Sequence, residues 1–254
     1  MVNVLNQAQP VHLILALLVE GIWLVNMGMS YVVSYRLMGI QESLWHMVAL
    51  SSAALNFLGI VTPSAGISSL ALFISDGKNK GHSSARITIA CMFYILFDYF
   101  GLLITALVGL LVLVNRDQLG WPEFTAVAVL ALVVIALVFL LYTSIQWPQG
   151  LKKFFIWIFK QLNRLTSFLH IKFRFNEERV IEFVDEIHAG TKVIQENYRK
   201  LILPVGLGLS NKLLLILLLY LLFFAFEIPV EVGVVVCGFA IGYIFTILSP
   251  TPSG

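Results

Sequence analysis

The sequence predicts an all-α, polytopic integral membrane protein, a bundle of about six spanning helices with Pro/Gly breaks, folded as one domain over residues 1–254. Three observations carry this. Hydrophobic residues make up 59% of the chain and charged residues 12%, half of the roughly 25% typical of soluble domains. The apolar residues gather in runs of about 20 or more, the length that crosses a bilayer core at 1.5 Å per residue. Lys and Arg, by contrast, concentrate in two connections. A net charge of +2 without a basic, aromatic-interleaved stripe gives no reason to expect nucleic acid as a partner.

Six apolar segments follow in order: Val11–Tyr35, Leu44–Ile74, Ala85–Val114, Glu123–Trp147, Leu203–Phe226 and Val230–Leu248. The first is too long for a signal-peptide core, and no Lys or Arg precedes it, so it reads as a retained span. The second exceeds one straight span and contains Pro63, which suits two half-helices or a span with a re-entrant piece. Trp45, Trp121 and Trp147 mark segment ends, as interfacial anchors do.

Ten of the sixteen Lys and Arg lie between Pro148 and Ile202, and the Ser75–Ser84 connection adds Lys78 and Lys80, with Arg86 just beyond it. Six alternating spans put both basic connections on the cytoplasmic side, together with the N-terminus. Residues 149–202 form a helical cytoplasmic connection. Within it, residues 150–175 set Lys152, Lys153, Lys160 and Arg164 opposite Phe154, Phe155, Ile158, Phe159, Leu162 and Leu165. That pattern suits either a helix in the headgroup layer that meets anionic phospholipid or a plain connector that orients the protein. Asn176 then caps a soluble helix with a one-sided stripe from Val180 through Val184 and Ile187 to Leu201. Packing explains the stripe, and homo-oligomer formation is the alternative.

Intramembrane charge is expensive and points to function. Asp98 lies midway along the third segment and Glu20 within the first. Asp98 either binds a proton, cation or amine headgroup, or is a structural aspartate bonded to a neighbouring helix. Asn26 is expected to bridge helices. Lys212 is expected to snorkel to the cytoplasmic surface. Cys91 and Cys237 read as buried small hydrophobes. No metal-ligand spacing, nucleophile motif or phosphate loop is present, so no enzyme, metal or cofactor is expected.

Two breaks, Thr62-Pro63-Ser64-Ala65-Gly66 and Thr251-Pro252-Ser253-Gly254, interrupt apolar segments. Proline removes a backbone donor, and the carbonyl this frees must be satisfied by protein, water or ligand. Paired breaks point to a transport site. In the six-span model both lie on outward-to-inward segments.

The run Asn56-Phe57-Leu58-Gly59-Ile60-Val61-Thr62-Pro63-Ser64-Ala65-Gly66, followed by Lys78-Asn79-Lys80-Gly81, resembles the flippase-like transmembrane region of lysylphosphatidylglycerol synthases and their stand-alone relatives. Ser249 to Gly254 is similar to that family's second Pro/Gly break. The resemblance runs from about residue 11 to 254. It implies a prokaryotic cytoplasmic membrane protein, and the better-known members move an aminoacylated phospholipid between leaflets. The family's second motif continues into glycines and a glutamate, so a truncated chain is expected. The aminoacyl-transferase domain of the fused synthases is absent from these residues.

The expected function is therefore flippase-like translocation of a lipid headgroup. Its path is lined by Asn56, Thr62, Pro63, Ser64, Gly66, Thr251, Pro252, Ser253 and Gly254, with Asp98 as a countercharge and Glu20 as a further candidate. The competing readings are a proton-coupled transporter of a small solute, using Asp98 or Glu20, and a membrane scaffold for a glycosyltransferase or lipid-modifying enzyme.

Overall fold

The computed structural model describes residues 8–54, 67–114, 120–168 and 198–248, together with 178, 181, 184, 185, 187 and 188. These residues form eight α-helices and a short 3-10 turn, with no strand among them. The helices are α1 (Pro10–Leu37), α2 (Leu44–Ser51), α3 (Ile67–Asn79), α4 (Ser84–Val114), α5 (Trp121–Gln146), α6 (Pro148–Phe168), α7 (Ile202–Ala225) and α8 (Val232–Leu248). This is the helical membrane-type bundle that composition predicts. Both breaks, Thr62–Gly66 and Thr251–Gly254, lie outside the described residues, as does Asn56.

Helices α1, α4, α5, α7 and α8 each coincide with an apolar run, because a chain in hydrocarbon must satisfy its backbone internally. Pro10 and Pro122 fall in the first turns of α1 and α5, where the missing N–H costs nothing. Three stretches are long and apolar enough to cross a membrane: Pro10–Leu37, Ser84–Val114 and Arg199–Ala225. Helix α5 has 26 residues and an apolar stretch at Val127–Leu140. Helix α8 has 17 residues, about 26 Å and at the short limit of a span.

The second apolar segment departs from the simplest expectation. Lys80 Nζ lies 2.7 Å from Glu42 Oε2, and His46 Nε2 lies 3.0 Å from Asp76 Oδ2. Residues on either flank of Leu44–Ile74 therefore meet, so the segment returns to the end it left. Ser69 donates its hydroxyl to the Ala54 carbonyl, tying the deep ends of the two pieces together. Tyr31 of α1 stacks on Phe73 of α3 at 4.6 Å between centroids and fastens the doubled-back segment to the bundle. Composition makes the segment apolar without saying which way it runs.

Helix α1 lies antiparallel to α7. At one end Gln9 N donates to the Ala225 carbonyl, and Gln9 Nε2 donates to Glu227, both at 2.7 Å. Cys237 Sγ meets the Gly109 carbonyl at 2.9 Å, placing the start of α8 beside the end of α4. The start of α4 lies beside the end of α5, where Ile89, Met92, Phe93, Leu96, Leu137 and Leu140 border one apolar crevice with Ile187. One end of the bundle therefore holds Gln9, Gly120 and Glu227. The other holds Arg36, Glu42, Lys78, Lys80, Arg86 and the start of α6. Val184 and Ile187, from the predicted soluble stripe, are buried at that second end.

Candidate functional site

Helices α1, α4, α7 and α8 bring together a polar set that the sequence scatters over more than 200 residues. Asp98 stands in the middle of α4, and Lys212 is the eleventh residue of α7. Lys212 Nζ donates to Asp98 Oδ2 at 2.7 Å, and the two side chains are 1% and 8% exposed. Lys212 was expected to snorkel, and it does not. At 1.5 Å per residue it lies about 15 Å from the helix start, beyond the reach of its stem, and Asp98 offers a nearer counter-charge. Its ammonium also sits 4.0 Å from the centroid of the Tyr243 ring on α8, a cation–π contact.

Asn211 Nδ2 reaches the other carboxylate oxygen, Asp98 Oδ1, at 3.4 Å. Asn211 Oδ1 in turn accepts from Asn26 Nδ2 of α1 at 2.8 Å. Asn26 Oδ1 accepts from Ser210 Oγ at 2.8 Å, so the chain of contacts runs from α1 through α7 to α4. Asn26 is thus the interhelical bridge the sequence suggested.

Close backbone packing makes these distances possible. A Cβ on Gly101 would meet the Gly208 carbonyl oxygen at 2.4 Å, and one on Gly208 would meet the Phe97 carbonyl oxygen at 2.2 Å. Only glycine admits that approach of α4 to α7, the small-residue contact that membrane helices use. It lies one turn from Asp98 and from Lys212.

Beside the ion pair is a closed crevice, too tight to admit a water molecule, lined by Ser30, Ser34, Tyr94, Phe97, Asp98, Pro204, Gly208 and Asn211. It runs from the Asp98–Asn211 level toward the end of the bundle that carries Lys78 and Lys80. Ser30 donates its hydroxyl proton to the Asn26 carbonyl, and Ser34 donates to the Ser30 carbonyl, both at 2.9 Å. Each serine oxygen therefore faces the crevice with lone pairs only. With the Asp98 carboxylate they supply acceptors beside the Asn211 amide and the Tyr94 hydroxyl, and such acceptors suit a hydrogen-bond donor or a cation.

Of the expected site residues, Asp98 lies at the centre of this network. Glu20 is half-buried on α1 and has no ion-pair partner among the described residues. The structure does not bring it to Asp98. Among the described residues no group of three His, Cys, Asp or Glu could hold a metal. The sequence reading missed Lys212, Ser30, Ser34 and Tyr243 as site residues. The available signal was a lone acid and a lone base, each deep in an apolar helix, since intramembrane charges pair.

A second polar group closes the mouth of the doubled-back segment. Lys80 also reaches Asp76 at 3.4 Å, and His82 lies 3.8 Å from Glu42. Burial raises the Asp76 pKa, but the His46 hydrogen bond and the charges of His46 and Lys80 outweigh it, so the net shift is downward from 3.8.

No curated protein and no solved structure matches the chain. The model of one protein family, described as the lysylphosphatidylglycerol synthase TM region, matches residues 1–254. With the whole sequence covered and an apolar helical bundle to go with it, the chain belongs to the lysylphosphatidylglycerol synthase transmembrane-region family of integral membrane proteins.

Proposed function

We propose that this protein is a non-enzymatic, flippase-like carrier of a prokaryotic cytoplasmic membrane, passing an amine-bearing phospholipid headgroup along the α1–α4–α7 crevice. The acyl chains stay in the bilayer. The observation that carries this reading is the set of acceptors that Ser30, Ser34 and Asp98 bring to one crevice. The crevice is closed as it stands, so α1, α4 and α7 must part to admit a headgroup; a primary ammonium entering then can bond to both serine oxygens and compete with Lys212 for the carboxylate. Lys212 then retains the Tyr243 ring and becomes available to the lipid phosphate, so no charge is left alone in hydrocarbon.

The proton-coupled alternative relied on Asp98 or Glu20 as an isolated acid. Asp98 has a lysine partner at 2.7 Å, which weighs against that role for it.

Orientation follows from the ends of the bundle. Because Leu44–Ile74 returns to its own side, Arg36 joins Lys78, Lys80, Arg86 and the basic 148–202 connection at one end. By the positive-inside rule that end is cytoplasmic. Gln9 is at the other, and we propose that the start of α1 lies on the outer side, in place of the cytoplasmic side expected from six alternating spans. The crevice then leads up from the cytoplasmic leaflet.

Ligand-induced stabilisation tests the site. An aminoacylated or ethanolamine phospholipid should raise the melting temperature of the detergent-solubilised protein more than phosphatidylglycerol does. Ser30→Val with Ser34→Val should remove that difference. Equal shifts with amine-bearing and amine-free lipids would contradict the reading.

A further inference from the structure

The geometry points to the ion pairs between α2 and α3, the two legs of the doubled-back segment, as a clasp on the α1–α4 seam whose release regulates access to the crevice. This rests on the crevice being the site that opens, and not on which lipid enters it.

Each leg belongs to a different wall of the crevice. The α2 leg follows α1 through a turn in which Ile40 N donates to the Tyr35 carbonyl at 3.0 Å. It packs so close to α1 that a Cβ on Gly28 would meet Val48 Cα at 2.9 Å. The α3 leg leads into α4 through a turn in which His82 N donates to the Gly77 carbonyl at 2.9 Å. A Cβ on Gly77 would strike the Ile87 side chain of α4. So α1 with α2 makes one packed unit, α3 with α4 makes another, and the crevice lies where both meet α7.

Inside the bundle the two units meet through the Ser69–Ala54 hydrogen bond and a stack of rings. Tyr31 of α1 lies 4.6 Å from Phe73 of α3 and 3.9 Å from Tyr94 of α4, centroid to centroid, and Tyr94 lines the crevice. At the mouth they meet through charge: Glu42 with Lys80, and His46 with Asp76. Parting α1 from α4 carries one leg with each wall, so it separates these charges together with the Tyr31–Tyr94 rings. Separated at the mouth, the charges can regain water, and such a pair is worth little to break. Separating Lys212 from Asp98 would instead strand both in hydrocarbon. The mouth is therefore where the closed form can be released.

The test labels the full chain carrying Ser34→Cys, in nanodiscs, with a small water-soluble maleimide, and peptide mass spectrometry reads each thiol separately. Ser34 lines the crevice, while the native Cys237 is buried between α8 and the far end of α4. One such ion pair holds its partners together by about threefold. Glu42→Gln with Asp76→Asn removes both carboxylates and should speed labelling at position 34 about tenfold, with Cys237 as slow as before. An unchanged rate at position 34 would overturn the clasp. Equal acceleration at Cys237 would overturn it too, because the charges would then hold the whole fold and not the seam. The measurement needs no carried lipid, so a clasp that opens in a protein without preference for amine-bearing lipid would defeat the carrier reading alone.

Discussion

Lys212 Nζ and Asp98 Oδ2 lie 2.7 Å apart in the middle of the bundle, one turn along each helix from the point where Gly101 and Gly208 touch. The two contacts depend on each other. Without the glycine approach the carboxylate and the ammonium could not meet, and without the ion pair two buried charges would face hydrocarbon alone.

Breaking the pair from one side should therefore be worse than removing it. Asp98→Asn and Lys212→Gln should each lower stability by about 3 kcal/mol, since each strands a buried polar partner. The double variant should lose less than the sum of the singles by about 2 kcal/mol. Chemical or thermal unfolding in detergent measures this, and additive losses would mean that the contact carries no coupling.

The glycine contact gives a sharper contrast. Gly101→Ala drives a Cβ into the Gly208 carbonyl and should destabilise by about 2 kcal/mol. Gly206→Ala, on the same helix as Gly208, meets nothing within 4 Å and should be neutral or slightly stabilising. Similar melting temperatures for the two alanine variants would rule out the close approach of α4 and α7.

Direction within the membrane can be read with cysteines. Glu42→Cys with Lys80→Cys should be joined by a short bifunctional thiol reagent that replaces the lost side-chain length, because the tips of the parent side chains are 2.7 Å apart. An impermeant thiol reagent should label Lys80→Cys from the cytoplasmic side and Gln9→Cys from the outside. Labelling of both from one side would overturn the proposed orientation.

The long spans were legible in the sequence. Val11–Tyr35, Ala85–Val114 and Leu203–Phe226 match α1, α4 and α7 to within two residues at each end, because an uninterrupted apolar run in lipid has no alternative to helix. Asp98 was legible for a similar reason, as a charge where charge is costly. Its partner was harder to find, since Lys212 is 114 residues away and local periodicity carries no information about which helix faces which. Leu44–Ile74 misled for a different reason. Hydropathy reports that a segment is buried in lipid but says nothing of whether it crosses or returns. The oppositely charged flanks Glu42 and Lys80 were the clue that it returns. Ser30 and Ser34 escaped notice because a serine inside an apolar helix commonly just bonds its own backbone. Here they do so, and that very bond turns their lone pairs toward the crevice.

The mouth of the doubled-back segment should respond to acid. The folded state holds Asp76 below its ordinary 3.8, so the unfolded state binds the proton more tightly. The stability that Asp76 contributes is present above that ordinary value and is lost as pH falls through the lower folded value. Asp76→Asn should lower stability at neutral pH and flatten the loss that sets in as pH falls below about 4. An unchanged acid limb in melting experiments would show that the His46 and Lys80 contacts do not hold Asp76 in its charged form.

Translocation in proteoliposomes addresses the central claim most directly. An aminoacylated phospholipid, placed on the side facing the basic end, is followed to the opposite leaflet with an impermeant amine-reactive reagent. The crevice predicts faster appearance of reactive amine than in protein-free vesicles, lost with Ser30→Val and Ser34→Val and kept with the exposed-face variant Lys153→Gln. Transfer equal to that of empty vesicles, or transfer untouched by closing the serine oxygens, would contradict it.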